Sequence, residues 1–250
     1  MARTERTIIR KSLVNKTKFG VYAFNHVWGC AHGCQYPCYA FLMAKRFGQV
    51  SNYEEWCSPA LVGNARELLE RDLSKTRGRV GQIHMCFSTD PFMYTYEDIR
   101  ELSLQLIECI NNRNLTCSIL TKGLLPLSLT GLSKDNQYGI SLIALDEEFR
   151  RRWEPGAAPY QERIEALYQL HLQGCKTYVN IEPYPPPNIL KQDFKKLLKT
   201  VAFADELSFG RLNYNYQADK YPQVVNFYRY IRNELQYFCE QKHIKCSIHG

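Results

Sequence analysis

Apolar residues along this chain gather in short, near-continuous runs, separated by stretches where they recur every three or four positions. The runs are GVYAFNHVW (20–28), QIHMCFS (82–88), CSILTK (117–122), YGISLIAL (138–145), TYVNIEP (177–183) and ELSFGRL (206–212). Strands buried on both faces of a parallel sheet read this way. Between them, YEDIRELSLQLIECI sets Ile99, Leu102, Leu106, Ile107 and Ile110 on one helical face. PYQERIEALYQLHLQG opens on Pro159 with Glu162 close behind and closes on Gly174, the punctuation of a helix. PQVVNFYRYIRNELQYFCEQKH, opened by Pro222, predicts a long C-terminal helix, and KCSIHG is a candidate last strand. Strand followed by helix, about six times over, predicts a parallel α/β fold, an open sheet or a barrel.

The runs end in polar residues: FSTDP, TKG, IALDE, NIEPYPPP and GRLNYN. Ligands of parallel α/β folds bind at the carboxyl ends of strands, on the loops that lead into helices. CAHGCQYPCY (30–39) also follows a predicted strand and belongs to the same face.

Composition narrows the setting. The chain has 250 residues, 45% of them hydrophobic and 23% charged, which suits one soluble domain with a full core. No apolar run approaches the roughly 20 residues of a membrane helix. The opening MARTERTIIRKSLVNKTKFG lacks the apolar centre of a secretory signal, so a cytoplasmic protein is expected. Residues 1–19 read as a basic segment and 20–250 as one domain. Ten cysteines without an export signal point to a reducing compartment where thiols are free to bind metal. The net charge of +7 is gathered near the N-terminus (Arg3, Arg6, Arg10, Lys11, Lys16, Lys18), at Arg150–Arg152, and at Lys191, Lys195, Lys196 and Lys199. Such charge favours a nucleic acid or another anionic partner, although most charge runs are solvated faces.

Cys30, Cys34 and Cys38 are spaced C-x3-C-x3-C. Thiolates select zinc or iron–sulfur clusters. A structural zinc site needs a fourth ligand, which His26 or His32 could supply. A 4Fe–4S cluster normally takes four cysteines, so three leave one iron open to a ligand from solution.

GCAHGCQYPCYA resembles the cluster loop of the radical S-adenosylmethionine (SAM) superfamily, in particular its spore photoproduct lyase-like branch. STDPF is similar to that branch's T-D-P segment and SILTKG to its I-x-T-K strand. ISLIALDEEFRRRWEPGAAPYQERIEAL is similar to its S-L-x-x-x-D-E…EP…R-x-E-A-L stretch. The resemblance covers about residues 20–215 and implies a partial (β/α)6 TIM-type barrel. Pro37 departs from the pattern, lengthening the branch's final C-x2-C to C-x3-C.

By resemblance, Cys30, Cys34 and Cys38 hold a 4Fe–4S cluster whose open iron chelates SAM. A flavodoxin- or ferredoxin-like reductant is the implied partner. The implied activity is release of a 5′-deoxyadenosyl radical that takes hydrogen from a substrate, a damaged or modified nucleic acid being the lyase-like case. Tyr36 and Tyr39 flank the last cysteine, and Ser88, Thr89 and Asp90 are placed to receive the SAM amino group. Lys122 is placed for its carboxylate and Ser141 for its ribose or methionyl group. Asn180 and Glu182, two apart on one strand, point to one side and are expected to meet a ligand. Arg211, Asn213 and Tyr214 are candidate substrate contacts. The competing readings are a zinc-stabilised nucleic-acid-binding module and, more distantly, a thiol redox enzyme.

Overall fold

The computed structural model describes residues 2–17, 20–75 and 80–249. From the N-terminus come β1 (Arg6–Ile8), β2 (Asn15–Lys16), β3 (Tyr22–Phe24) and β4 (Val27–Trp28). Next are α1 (Tyr39–Arg46), α2 (Tyr53–Cys57), β5 (Ala60–Val62), α3 (Ala65–Lys75) and β6 (Gln82–Met85). Then follow α4 (Glu97–Asn111), β7 (Thr116–Thr121), a 3-10 turn at Leu127–Gly131, β8 (Gln137–Ser141), α5 (Glu147–Trp153) and α6 (Tyr160–Leu172). The chain continues through β9 (Lys176–Tyr184), α7 (Phe194–Thr200), β10 (Glu206–Arg211), α8 (Tyr216–Asp219), α9 (Val224–Lys242) and β11 (Lys245–His249).

The main sheet has the order β11-β10-β9-β8-β7-β6-β3-β2. From β3 to β11 every pairing is parallel, and β2 joins β3 antiparallel. Neighbours in space are neighbours in sequence, as in a barrel wall, but β2 and β11 stand at two edges and no pairing among the described residues joins them. The sheet is therefore an open one. A small second sheet, β1-β5-β4, takes in the N-terminal segment. Leu13 in that segment is fully buried, and its N–H donates to the Asp72 carboxylate at 2.8 Å. Lys18 lies outside the described residues.

Register sorts the side chains onto two faces. On β9, Thr177, Val179 and Ile181 are buried, while Tyr178, Asn180 and Glu182 between them are only partly so. Val179 and Ile181 join a core with Ile83, Met85, Cys117, Ile119, Leu207 and Phe209, beneath α4, α6 and α9. The opposite face carries His84, Ser118, Gly139, Ser141, Asn180, Glu182, Ser208, Gly210 and His249. One side of the sheet is thus sealed by helices and the other is polar and partly open. Apolar alternation drives that asymmetry.

The run at 20–28 departs from expectation. It breaks into β3 and β4, which belong to different sheets, because Asn25 and His26 turn away from the ladder. Asn25 Oδ1 accepts the Ser88 N–H at 3.0 Å, and His26 Nε2 meets Ser103 Oγ at 2.7 Å. The run at 82–88 stops at Met85, where Cys86 takes a left-handed φ of 57°. The candidate last strand forms as Lys245–His249, which makes seven parallel strands among the described residues rather than six. Among the described residues no helix is long and apolar enough to cross a membrane.

Candidate active site

The three cysteines lie between β4 and α1, on a loop pinned from several sides. Cys30 N–H donates to Trp56 O at 2.9 Å, and Tyr53 Oη donates to Cys34 O at 2.5 Å. Gln35 N–H donates to Trp153 O at 2.9 Å, and Gly156 N–H to His32 O at 2.9 Å. Gly156 sits so close that a Cβ there would lie 2.2 Å from Ala31 O. Only glycine allows the segment after α5 to brace the loop.

All ten cysteines are free thiols, so disulfide chemistry does not account for the loop. Burial pushes the Cys30 thiol well up, with the Asp90 and Cys34 charges adding to the effect. Burial lifts Cys34 to about 12, against the pull of the Lys122 ammonium. Burial also raises Cys38, while the Phe41 and Ala40 N–H groups at the start of α1 oppose it. Buried neutral thiols become good ligands when a metal supplies the missing positive charge. Three soft donors on one braced loop, with a lysine and a helix start beside them, suit an iron–sulfur cluster.

A zinc site completed by histidine does not fit. His32 Nε2 lies 2.8 Å from Asp90 Oδ2, and its Nδ1 lies 3.3 Å from Gly156 O. His26 spends Nε2 on Ser103 and Nδ1 on Cys86 Sγ at 3.4 Å. Both rings are committed on both nitrogens. Among the described residues, no three His, Cys, Asp or Glu side chains form a group fit for a single ion.

Asp90 is the hub that joins the loop to the strand ends. Its Oδ1 accepts from Phe92 N–H (2.8 Å) and Thr121 Oγ1 (2.6 Å). Its Oδ2 accepts from His32 Nε2 and from Lys122 N–H (2.8 Å). These four bonds tie Asp90 to the loop and to the ends of two strands. Burial alone would raise this carboxyl, but His32, Thr121 and the Lys122 amide hold its pKa down.

Lys122 is likewise committed. Its Nζ is 2.9 Å from Glu154 Oε1, 3.8 Å from Cys34 Sγ, and 4.5 Å from the centre of the Tyr36 ring. Glu154, fully buried, also accepts from Tyr36 Oη at 2.7 Å and Arg163 Nη2 at 2.9 Å. Arg163, equally buried, ties itself to Ser141 O (2.9 Å) and Ala158 O (2.8 Å). Burial would raise the Glu154 carboxyl, but the Lys122 and Arg163 charges outweigh it and hold it at about 2. A lysine expected to hold a SAM carboxylate is thus paired with a protein carboxylate. Tyr36, expected at the cofactor, is a buried strut stacked near Trp153.

The sequence reading missed Glu154 and Arg163 as site residues, although both stand in the quoted EP…R stretch. Their signal was physical as well: Arg163 occupies a helix face otherwise made of Tyr160, Ile164 and Leu167, all buried.

Other expected residues form two further groups. Tyr39, Ser88 and Thr89 line a cavity of about 220 Å³ with Arg10, Asn25 and Phe87. Ser141, Asn180 and Glu182 share the polar face of the sheet. Asn180 Oδ1 accepts from Ser208 Oγ at 2.7 Å. Glu182 rests on Gly210, where a Cβ would lie 2.2 Å from its Cδ. Burial raises the Glu182 carboxyl, and only the charges of His249 and Lys122 counter it.

Arg211, Asn213 and Tyr214 do not join these groups. Arg211 Nε donates to Asn213 Oδ1 at 2.7 Å, and the Arg211 side chain lies against α9, on the helix side of the sheet. Tyr214 is 74% exposed. The repeated spacing falls on the other face here, because Arg211 shares the odd positions of Leu207 and Phe209, opposite Ser208 and Gly210.

Comparison with solved structures gives the architecture a context. Spore photoproduct lyase, complexed with dinucleoside spore photoproduct, superposes with a TM-score of 0.66 at 16% identity. The match covers 97% of this chain and 80% of that one. SuiB of Streptococcus suis bound to S-adenosylmethionine gives 0.58 at 16% identity, over 91% of this chain and 47% of SuiB. The fold is that of the radical SAM enzymes.

The likeness of fold runs well beyond the cysteine loop. In sequence, an uncharacterized protein of Methanocaldococcus jannaschii is 31% identical over 181 residues, 70% of this chain and 66% of that protein. An uncharacterized protein of Acidianus two-tailed virus is 27% identical, over 78% of this chain and 66% of its own length. A radical SAM Nalpha-GlyT isomerase of Pseudomonas phage M6 is 28% identical over 142 residues, 56% of this chain and 29% of the isomerase. The chain thus spans just under two thirds of the first two relatives. No protein-family model matches it.

Proposed function

We propose that this protein is a radical SAM enzyme built on a partial barrel of parallel strands, acting on a modified or damaged nucleic acid as a lyase or transferase. One observation carries the reading: three free thiols on a single loop, braced by the ends of the strands of a radical SAM fold. Cys30, Cys34 and Cys38 would hold a 4Fe–4S cluster and leave one iron for SAM. When bound, the cluster and SAM would supply radical hydrogen-abstraction chemistry, with a flavodoxin- or ferredoxin-like protein as the electron donor.

The chain's own residues position and insulate. Lys122 holds positive charge beside Cys34 and favours its thiolate. Glu154 and Arg163 fix Lys122 and Tyr36 behind the loop, while Asp90 and His32 fix its front. Ser88, Thr89 and Tyr39, beside Asp90 and Lys122, are the groups to bind the polar end of SAM. Ser141, Asn180 and Glu182 remain for ribose or substrate, on a face where water is partly excluded. Free thiols throughout suit a reducing, cytoplasmic setting. The dinucleoside bound to spore photoproduct lyase supports a nucleic-acid substrate by analogy of fold.

The test is anaerobic reconstitution with iron and sulfide. A brown protein with about four irons per chain, cleaving SAM when reduced by dithionite, is expected. Cys30→Ala, Cys34→Ala and Cys38→Ala should each lose the cluster and the cleavage. A colourless protein retaining one zinc refutes the reading.

A further inference from the structure

At the end of β10 the alternation that points Leu207 and Phe209 to the helix side sets a charged residue, Arg211, on that same side. Arg211, paired across the ladder with Tyr184, lines a cavity of about 530 Å³ between α9 and the edge strand β11. Arg229 and Arg232 line the same cavity from α9, with the amides of Asn233 and Gln236, over a floor that includes Ile248. None of its described lining residues is Asp or Glu. Arg211 and Arg229 are exposed, and Arg211 is steadied through Nε by Asn213 at 2.7 Å.

The position matters as much as the charge. α9 starts shortly after the carboxyl end of β10, the end of the sheet at which Asp90 and Lys122 brace the cysteine loop. The cavity runs along α9 beside the edge strand β11. From Arg229 to Gln236 the helix rises about 10.5 Å at 1.5 Å per residue. Guanidinium forks bind phosphate oxygens two at a time, and side-chain amides add donors between them.

We propose that this cavity is a phosphodiester groove, holding the backbone of a single nucleic-acid strand. It rests on the nucleic-acid reading above and gives that reading a physical docking surface. The chain's net charge of +7 draws such a strand toward it.

The test is fluorescence anisotropy of a labelled 15-nucleotide oligothymidylate with the reconstituted protein across potassium chloride concentrations. Arg211→Gln/Arg229→Gln should lower the slope of log affinity against log salt by about 1.4, at roughly 0.7 per phosphate contact. Referred to 1 M salt, that slope corresponds to about 25-fold weaker binding at 0.1 M. Arg66→Gln/Arg113→Gln, removing equal charge from α3 and the end of α4, should leave the slope unchanged. Thermal unfolding and iron content should match wild type in both variants, so a lost slope is not misfolding. Equal losses in the two variants, no salt-dependent binding, or displacement by polyglutamate as effective as by unlabelled oligonucleotide would each overturn the groove. A protein that builds no cluster yet binds DNA through these arginines refutes the enzyme and keeps the groove. One that cleaves SAM while its DNA binding ignores them does the reverse.

Discussion

Glu154 carries the heaviest electrostatic duty of any single residue near the cysteine loop. It is fully buried between Lys122 and Arg163 and accepts a third bond from Tyr36. Glu154→Gln strands two cations in the interior, and breaking a buried pair of this kind costs about 3–5 kcal/mol. Lys122→Met removes one cation yet leaves Glu154 bonded to Arg163 and Tyr36, so its loss in urea unfolding should be the smaller. The reverse order would mean that Lys122, not Glu154, organises the network. At this scale the sequence was partly legible. Cysteine spacing announced the soft-metal chemistry, because ligand type follows from side-chain type. The partners of Lys122 and Asp90 were hidden, since a lysine at a strand end reads the same whether it meets a ligand or a glutamate 32 residues on.

Among the elements, α5 and the segment after it decide how well the loop is held. Asp146 caps α5 by accepting from the Glu148 and Phe149 N–H groups at 2.8 and 2.9 Å. Removing such a cap costs roughly 1 kcal/mol, so Asp146→Ala should show that loss in urea unfolding. Gly156→Ala forces a methyl against Ala31 O at 2.2 Å. Overpacking of that kind costs about 1–3 kcal/mol, and here the strain falls on the loop between Cys30 and Cys34. Iron bound per chain after reconstitution should fall in Gly156→Ala while far-ultraviolet circular dichroism stays as in wild type. Retention of full iron would mean that the loop finds its geometry without this brace. The helices over 96–110, 159–174 and 222–243 were legible from periodicity, because each buries one stripe. The strand at 20–28 was not one strand: apolar content does not reveal where Asn25 and His26 leave one sheet for another.

For the molecule as a whole, buried titratable groups set an acid limit. Burial lowers His26 to about 3, so between there and the unfolded value near 6.5 only the unfolded chain binds that proton. Stability should fall by about 1.4 kcal/mol per pH unit over that window from His26 alone. His84, lowered to about 4 by burial, adds to the fall. Glu154 acts further down: its contribution is complete above about 4.5 and is lost as pH drops toward 2. Urea midpoints measured from pH 7 to pH 4 should decline with a histidine slope that His26→Gln reduces. A flat profile would mean that His26 is protonated in the folded protein.

What the sequence alone determined is the alternation of strand and helix, the three-thiol loop, and the gathering of polar residues at strand ends. These follow from local pattern, since burial period and ligand chemistry are properties of short stretches. Only the tertiary structure decided that Asp90 and Lys122 brace the loop, that both histidines are engaged, and that Arg211 faces α9. Each of those depends on which side of a ladder a residue falls and on what stands opposite. Register and long-range pairing, which no single stretch encodes, settle both.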